Sequence, residues 1–265
     1  MPVAINKETQ ADAITLYQEG LSARAVGLKL GISHPACLAA LRRAGVTRRD
    51  RHVARRRYHF REDAFSNVTT EAQAYWLGFI TADGCVSDSR LILNLQEKDR
   101  EHIAKFADFL GTSAPIARVS DRPAFAIHVC SNRILSDLAS LGVGPRKSLT
   151  VTPWNGPVHL MRHYWRGLWD GDGWISHDPI RKEWQVGVCG SQEVMQEALA
   201  FARLVCGTTA SLTRKNPIWF FKVGGRPRPR ELVRALYEGS TISLDRKYES
   251  ARKLLTYIRQ GDVMS

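Results

Sequence analysis

Hydrophobic residues recur at helical spacing along residues 8–45 and predict three short helices there. Residue types that favour helix ends bound these helices: Thr9 and Gly20 for the first, Ser22 and Gly31 for the second, and Ser33 with Pro35 at the start of the third. The pattern predicts a small all-α domain over residues 1–46.

From residue 85 onward, strand-like and helix-like patterns alternate. Leu91, Leu93 and Leu95 recur at the two-residue period of a half-buried strand, and residues 97–110 have the pattern of an amphipathic helix. Strands are predicted at 85–88, 90–95, near 115–120, 124–130, 183–189, 209–214 and 218–224, and helices from Ser131 to Leu141, from Ser191, and over 229–238 and 243–258. This interleaving predicts an α+β fold rather than a parallel sheet.

The charge of the chain is unevenly distributed. The 265 residues carry a net charge of +12, and nine arginines lie between Arg42 and Arg61 against one acid, Asp50. This density favours an anionic partner, and the forked guanidinium suits phosphate. We therefore expect nucleic acid, with a membrane surface or an acidic protein as alternatives. The arginines expected on DNA are Arg43, Arg48, Arg49, Arg51, Arg55, Arg56 and Arg57, in and beside a linker at 47–72.

The segment Leu28-Lys29-Leu30-Gly31-Ile32-Ser33 resembles the turn of a helix-turn-helix of the kind found in resolvases and invertases. The resemblance implies that the third helix enters the major groove. Its candidates for touching bases are His34, Ala36, Cys37, Ala40 and Arg43. The alternative is a three-helix structural cap with no role on DNA.

Other classes of protein are disfavoured. No apolar run approaches the roughly 20 residues of a membrane span, and the N-terminal residues lack the apolar region of a signal peptide. The five cysteines are scattered without a metal-ligand spacing. We expect a cytoplasmic protein with reduced thiols and no membrane partner.

One segment of the chain occurs twice. Residues 74–84, AYWLGFITADG, recur as residues 163–173, HYWRGLWDGDG, at a constant offset of 89. Two copies at one spacing predict a duplicated unit with pseudo-two-fold symmetry. Gly78 and Gly167 would let the two helices pack closely, and Gly84 and Gly173 would end them in the left-handed conformation.

Asp83 and Asp172 fall in the last turn of the repeated helices. A helix C-terminus carries partial negative charge, so an acid there is unfavourable, and two neighbouring carboxylates repel each other. A shared divalent cation would remove both penalties, and carboxylate, carbonyl and water oxygens suit Mg²⁺. Beside a DNA-binding surface, such a site indicates phosphodiester hydrolysis. The alternative is that each aspartate caps its helix or pairs with an arginine.

The repeated segment resembles the LAGLIDADG motif, and residues 70–258 are similar to a homing endonuclease with both motifs in one chain. Supporting segments are Leu95–Asp99, Arg146–Ser148 and Leu244–Tyr248. The resemblance implies an αββαββα core repeated at 73–150 and 157–258 within a domain at 73–258. It also implies a monomer that cuts both strands of a long asymmetric target across the minor groove, leaving 3′ overhangs.

The resemblance further implies the metal ligands. They are Asp83 and Asp172, with the carbonyls of Ala82 and Gly171, for Mg²⁺ or Mn²⁺. Thr81 replaces the earlier motif acid that Asp170 keeps, a position that is not a metal ligand in the family. Family members also place a basic or amide side chain near the cleavage centre. Gln96, Glu97, Lys98, Asn132 and Arg226 are candidates by position, with Lys98 and Arg226 expected to act in catalysis.

If the apolar face of each sheet packs on helices, the opposite face is free for DNA. The side chains expected there are Arg90, Asn94, Arg118, His128, Gln185, Thr213 and Lys222. Two other functions stay open on this fold: a DNA-binding regulator that does not cleave, and an RNA-splicing maturase. Retention of both aspartates favours the nuclease.

Overall fold

The computed structural model describes residues 5–47, 58–225 and 227–257, without the side chains of Ser148 and Leu149. Its internal contacts divide the chain into two units, Met1–Arg57 and Tyr58–Ser265. Within the described ranges no helix combines the length and apolarity needed to cross a membrane.

The first unit contains the three predicted helices: α1 (Lys7–Gln18), α2 (Ala23–Leu30) and α3 (His34–Arg43). Ser22 and Ser33 cap α2 and α3 as expected. The predicted cap of α1 is wrong, because Asn6 accepts the hydrogen bond from the Thr9 N–H at 2.7 Å. An N-cap residue accepts from the third helical residue, which is the position that Thr9 occupies.

The second unit contains the same element order twice. The first half has α4 (Glu71–Asp83), β1 (Gly84–Val86), β2 (Leu91–Gln96), α5 (Arg100–Phe109), β3 (Ala117–Arg118), β4 (Ala124–Val129) and α6 (Asn132–Ser140), followed by the one-turn α7 (Lys147–Thr150). The second half has α8 (Val158–Asp172), β5 (Gly173–Asp178), β6 (Glu183–Gly190), α9 (Gln192–Cys206), β7 (Thr213–Lys215), β8 (Ile218–Gly225) and α10 (Pro227–Tyr237), followed by α11 (Asp245–Thr256).

Each half folds into an antiparallel four-stranded sheet. The strand orders are β1-β2-β4-β3 and β5-β6-β8-β7, so the second sheet repeats the topology of the first. The predicted α+β fold and its duplicated αββαββα order are therefore confirmed. The element limits differ in detail, since β3 has only two residues and a 3₁₀ turn, Glu97–Asp99, precedes α5.

The motif helices α4 and α8 pack directly on each other. A Cβ atom built on Gly78 would lie 1.9 Å from the Tyr164 carbonyl oxygen, and one on Gly167 would lie 2.0 Å from the Tyr75 carbonyl oxygen. Only glycine permits this approach, so the predicted close packing is confirmed. The two contacts are related by the repeat, because Tyr75 and Tyr164 occupy equivalent positions.

The expected left-handed glycines at the helix ends are wrong. Gly84 has φ −67° and Gly173 has φ −94°, which any residue can adopt. The requirement for glycine is one of space. A Cβ atom on Gly84 would lie 2.7 Å from the Ile80 carbonyl oxygen, and one on Gly173 would lie 2.6 Å from the Trp169 carbonyl oxygen.

The predicted linker at 47–72 extends too far into the second unit. Ala64, Phe65 and Val68 are buried in the core of that unit. The Arg61 N–H also donates to the Leu110 carbonyl at 2.7 Å. The apolar side chains around Phe65 thus make this stretch part of the core, although its basic residues had suggested a linker.

Candidate functional site

Asp83 and Asp172 end α4 and α8, and the ends of these helices touch. A Cβ atom built on Gly171 would lie 2.4 Å from the Ala82 Cβ and 3.3 Å from Asp83 Oδ2. Burial and the charge of Asp172 together raise the pKa of Asp83 to about 6. Burial also raises the pKa of Asp172. The two carboxylates therefore form one electrostatic site, as the repeat predicted.

Two lysines lie at the same helix ends, of which Lys247 is buried and Lys147 is partly buried. Lys147 Nζ donates to the Thr81 carbonyl at 2.7 Å and to the Ala82 carbonyl. Lys247 Nζ donates to the Trp169 carbonyl at 3.3 Å and to the Gly173 carbonyl. Each lysine thus caps the motif helix of its own half, where the helix dipole favours a cation.

These lysines and the aspartates influence one another. Burial lowers the pKa of Lys147, while Asp172 and Asp83 raise it. Burial lowers the pKa of Lys247 to about 8. The lysines therefore offset part of the charge repulsion at the two aspartates, which the sequence pattern assigns to a divalent cation alone. They do not offset all of it, because the pKa of Asp83 stays well above its ordinary value.

Sequence reasoning did not single out Lys147 or Lys247 as site residues. Both lie in segments that supported the family resemblance, and each follows an arginine, as Arg146-Lys147 and Arg246-Lys247. This repeated dipeptide was the available signal. It was missed because the distance from aspartate to lysine along the chain differs between the halves, so a search at one constant offset does not pair them.

The predicted catalytic residue Lys98 lies in the 3₁₀ turn before α5 and is exposed. It lines a cleft of about 690 Å³ together with Asp83, Cys85 and Gln96. The structure therefore brings Lys98 to the same cleft as one aspartate. Asn132 is exposed at the start of α6, and Arg226 lies outside the described residues.

The residues present suit a hard cation in an open site. The described parts of the chain contain no group of three or more His, Cys, Asp or Glu side chains that could hold a metal. The protein would offer two carboxylates and main-chain carbonyls, which are oxygen ligands of the type that Mg²⁺ binds while it keeps several waters. Of the two expected carbonyl ligands, that of Ala82 already accepts from Lys147.

Strand register places most of the predicted DNA-facing residues opposite the core. In the first sheet, Asn94 and His128 alternate with the buried Leu93 and Ile127. In the second sheet, Gln185, Lys222 and Thr213 lie on the face opposite Val186, Val223 and Phe221. Arg90 is exposed in the turn between β1 and β2. The location of these residues agrees with expectation, and their contact with DNA stays a prediction.

Arg118 is the exception. It pairs with Phe125, which in turn pairs with the buried Leu95, so Arg118 lies on the helix side of the sheet. Its guanidinium is 3.8 Å from the Glu97 carboxylate. The predicted outward position is wrong because the two-residue β3 has too little alternation for its register to be read from sequence.

Two aromatic residues on the outer face of the second sheet were missed. Trp174 is paired with Gly187, and a Cβ atom built on that glycine would lie 2.2 Å from the indole. Phe220, on the same face, has its ring centroid 6.4 Å from that of Trp174. Only the register of β5 and β6 reveals that Trp174 covers Gly187 on this face.

In the first unit, α3 presents fewer candidates than expected. Cys37 and Ala40 are fully buried, so the expectation that they touch bases is wrong. Their side chains pack inside the three-helix unit because they lie on the apolar face of α3. His34 and Arg43 are exposed and Ala36 is partly so. The predicted arm residues Arg48, Arg49, Arg51, Arg55, Arg56 and Arg57 lie outside the described residues.

No known family model matches this chain, and no curated protein matches it. Solved structures do resemble it. The I-LtrWI LAGLIDADG homing endonuclease bound to target DNA has 12% identity and a TM-score of 0.48, covering 73% of this chain and 90% of that one. The LAGLIDADG meganuclease I-CpaMI bound to uncleaved DNA has 11% identity and a TM-score of 0.48, covering 71% and 91%.

The meganuclease I-SmaMI bound to uncleavable DNA has 12% identity and a TM-score of 0.48, covering 68% of this chain and 88% of that one. These likenesses are distant, with every TM-score below 0.5. The chain is similar to these LAGLIDADG proteins over most of their length, and its own structure has the duplicated αββαββα order that the motif resemblance implied.

Proposed function

We propose that this protein is a sequence-specific, divalent-metal-dependent DNA endonuclease of the homing type that cuts both strands. One observation carries the proposal: two carboxylates lie at the touching ends of α4 and α8, and a lysine donates to the carbonyls of each helix end. A single chain contains both halves of this centre, so we expect a monomer. We also expect cleavage across the minor groove with 3′ overhangs.

Asp83 and Asp172 would bind Mg²⁺ or Mn²⁺, with the carbonyls of Ala82 and Gly171 nearby. A bound divalent cation would lower the pKa of attacking water and stabilise charge on the scissile phosphate. The two aspartates, one from each half, would hold this cation. Because the pKa of Asp83 is about 6 without metal, ionisation of this carboxyl near neutral pH would be coupled to metal binding.

Lys147 and Lys247 would stabilise charge at the phosphate. An ammonium has three N–H donors, and two on each lysine donate to carbonyls at the helix end. One donor of each lysine therefore remains for a phosphate oxygen or for the oxygen that leaves. The reaction breaks the bond from phosphorus to the 3′ oxygen as the water oxygen bonds to phosphorus. The attacking water loses a proton to solvent, and the departing 3′ oxygen gains one from an ammonium group or from solvent. With Lys98 on the cleft wall, these are the candidate catalytic cations.

The outer faces of the two sheets would contact DNA through Arg90, Asn94, His128, Gln185, Thr213 and Lys222. The first unit and the arginines that follow it would extend the recognised site, since basic arms follow phosphates or enter the minor groove. The exposed His34 and Arg43 of α3 are its candidates for contacting DNA.

The test is incubation of the full-length protein with DNA that carries the flanking region of its own gene, in Mg²⁺ and in EDTA. We expect discrete fragments in Mg²⁺ only, with staggered 3′ ends on sequencing. The double variant Asp83→Asn/Asp172→Asn, purified in the same way, controls for contaminating nucleases. Specific binding without cleavage in Mg²⁺ or Mn²⁺ would instead support a non-cleaving regulator.

A further inference from the structure

Asp170, two residues before Asp172 on α8, is fully buried and accepts three hydrogen bonds. The donors are the Tyr75 hydroxyl at 2.8 Å, the Tyr237 hydroxyl at 2.6 Å and the Leu244 N–H at 2.6 Å. Oδ2 accepts from Tyr75 and Leu244 and Oδ1 accepts from Tyr237, so both carboxyl oxygens are used as acceptors.

These bonds fix the start of α11. Leu244 is the residue before α11, and Lys247 lies in its first turn. Lys247 is 6% exposed, and its Nζ donates to the Trp169 and Gly173 carbonyls on either side of Asp172. The bond from Leu244 to Asp170 therefore holds the helical turn from which Lys247 reaches the site.

The segment before α11 is held in the same way. Arg166, fully buried on α8, donates to the Leu236 carbonyl at 3.0 Å and to the Ile242 carbonyl at 2.9 Å. It also pairs with Glu71 of α4 at 2.6 Å, and Glu71 accepts from the Thr241 N–H at 2.8 Å. Charged side chains of both motif helices thus hold residues 236–244 in place.

The first half lacks this arrangement. Thr81 stands at the position equivalent to Asp170, and its hydroxyl donates to the Leu77 carbonyl within α4 at 2.8 Å. Lys147 lies in the one-turn α7, entered through Arg146 at φ +56°. Within the described residues, no side chain of α4 hydrogen-bonds the main chain of residues 141–147. The two lysines therefore reach equivalent positions at the ends of α4 and α8, but different contacts hold the segments that carry them.

We propose that Asp170 is a positioning residue for Lys247, and that its loss impairs cleavage of one DNA strand more than the other. The strand-specific part of this inference rests on the proposed nuclease function. Asp170 acts through Leu244 and α11, and it contacts neither the phosphate nor the attacking water.

The first experiment measures the position of Lys247 without DNA. The full-length protein is treated with an amine-acetylating reagent, and the modification rates of Lys247 and Lys147 are compared by mass spectrometry. The amide would replace one of the two acceptor oxygens with an NH₂ donor, so at least one of the three donors would lose its acceptor, and Asp170→Asn should raise the rate of Lys247 relative to Lys147 by about tenfold. Tyr75→Phe keeps the Asp170 carboxyl group and should raise the ratio in the same direction, which separates loss of position from loss of charge. An unchanged ratio in folded variants of both kinds would overturn the proposal.

The second experiment measures each strand with end-labelled target DNA. Tyr75→Phe removes one donor to Asp170, whereas Tyr164→Phe removes the equivalent hydroxyl of the repeat, which accepts from the Trp154 N–H at 3.4 Å. We expect Tyr75→Phe and Tyr237→Phe to change the ratio of the two strand rates by about threefold. Tyr164→Phe should leave this ratio unchanged. Equal loss on both strands in Tyr75→Phe and Tyr237→Phe would contradict the positioning role.

The two experiments separate the possible failures. If the wild type does not cut DNA, the proposed function fails, and the acetylation ratio still tests whether Asp170 holds Lys247. If Asp170→Asn does not fold, as judged by circular dichroism, Tyr75→Phe and Tyr237→Phe replace it in both measurements. In that case an acetylation ratio equal to that of Tyr164→Phe would overturn the proposal.

Discussion

The two halves of the second unit share a topology but differ in the lengths of their strands and in the contacts that hold their site residues. At the helix ends they match: each has an aspartate in the last turn and a lysine donating to the final carbonyls. Away from this point they diverge. The second half has strands of eight residues, β6 and β8, where β2 and β4 have six. The aspartates and lysines of the site are thus arranged alike in the two halves, whereas the strands that surround them differ in length.

The outer faces of the sheets differ in the same way. On this face the first sheet carries the small side chain of Ala126, which is buried, beside the partly exposed Asn94. The second sheet carries the aromatic side chains of Trp174 and Phe220 there. Apolar side chains on such a face suit contact with thymine methyl groups, and amides suit base edges. Two halves of this kind would recognise different sequences, which agrees with the asymmetric target that we expect.

The largest expected effect tests the two aspartates, which occupy equivalent positions in the two halves. Asp83→Asn and Asp172→Asn should each reduce double-strand cleavage by about a thousandfold, because each removes a carboxylate ligand of the metal site. Single-turnover cleavage of end-labelled DNA measures both strands, and electrophoretic mobility shift measures binding, which should persist. If either variant cuts both strands normally, the two aspartates do not share one centre.

The contact between the motif helices should exclude larger side chains equally at Gly78 and at Gly167. Gly78→Leu and Gly167→Leu would each place a side chain against a carbonyl of the other helix, so each should lower the free energy of unfolding by about 3 kcal/mol or more. Thermal denaturation measures this. Gly224→Ala is the control, because a Cβ atom there has no neighbour within 4 Å. An unchanged melting temperature for Gly78→Leu would mean that the helices do not meet at this point.

Removal of residues 1–57 leaves the two halves to bind DNA alone. The cut falls at the boundary between the two units and before Phe65 and its neighbours, which belong to the core of the second unit. If five arginine–phosphate contacts are lost, the slope of log K against log salt should flatten by about 4.5. Fluorescence anisotropy over a series of salt concentrations measures the slope. The same slope in the full-length and the shortened protein would mean that the arginines of residues 1–57 do not contact DNA phosphates.

The raised pKa of Asp83 predicts how the metal-free protein depends on pH. The pKa is about 6 when folded, against an ordinary value of 3.8, so between these values the folded state binds more protons than the unfolded state. The free energy of unfolding should therefore fall as pH rises from about 4 to 6, by about 2 kcal/mol. Asp83→Asn should be the more stable protein at pH 7, although inactive. Urea denaturation in EDTA at both pH values measures this, and an unchanged stability of Asp83→Asn at pH 7 would contradict it.

The smallest effect compares one cation from each sheet. Lys222 lies on the outer face of the second sheet, whereas Arg118 lies on the helix side of the first. Lys222→Ala should reduce the salt slope by about 0.9, the value for one phosphate contact, and Arg118→Ala should leave it unchanged. Equal changes in both variants would mean that strand register does not decide which cations meet DNA.

Sequence reasoning located the elements and the aspartates but not their cationic partners. Asp83 and Asp172 were found because the repeat keeps one spacing around them. Lys147 and Lys247 were not, because their distance from the aspartates along the chain differs between the halves. Arg118 was misplaced for a similar reason, since a two-residue strand has no periodicity to fix its register.

The sequence by itself determined the duplicated αββαββα order, the close approach of Gly78 and Gly167, and the two acids at the helix ends. These features depend on local periodicity and on one repeated segment. Only the tertiary structure decided which cations face the aspartates, that Asp170 accepts from Tyr75, Tyr237 and Leu244, and that Trp174 covers Gly187. Such contacts join residues far apart in the chain, and their partners are fixed by packing and strand register rather than by any local pattern.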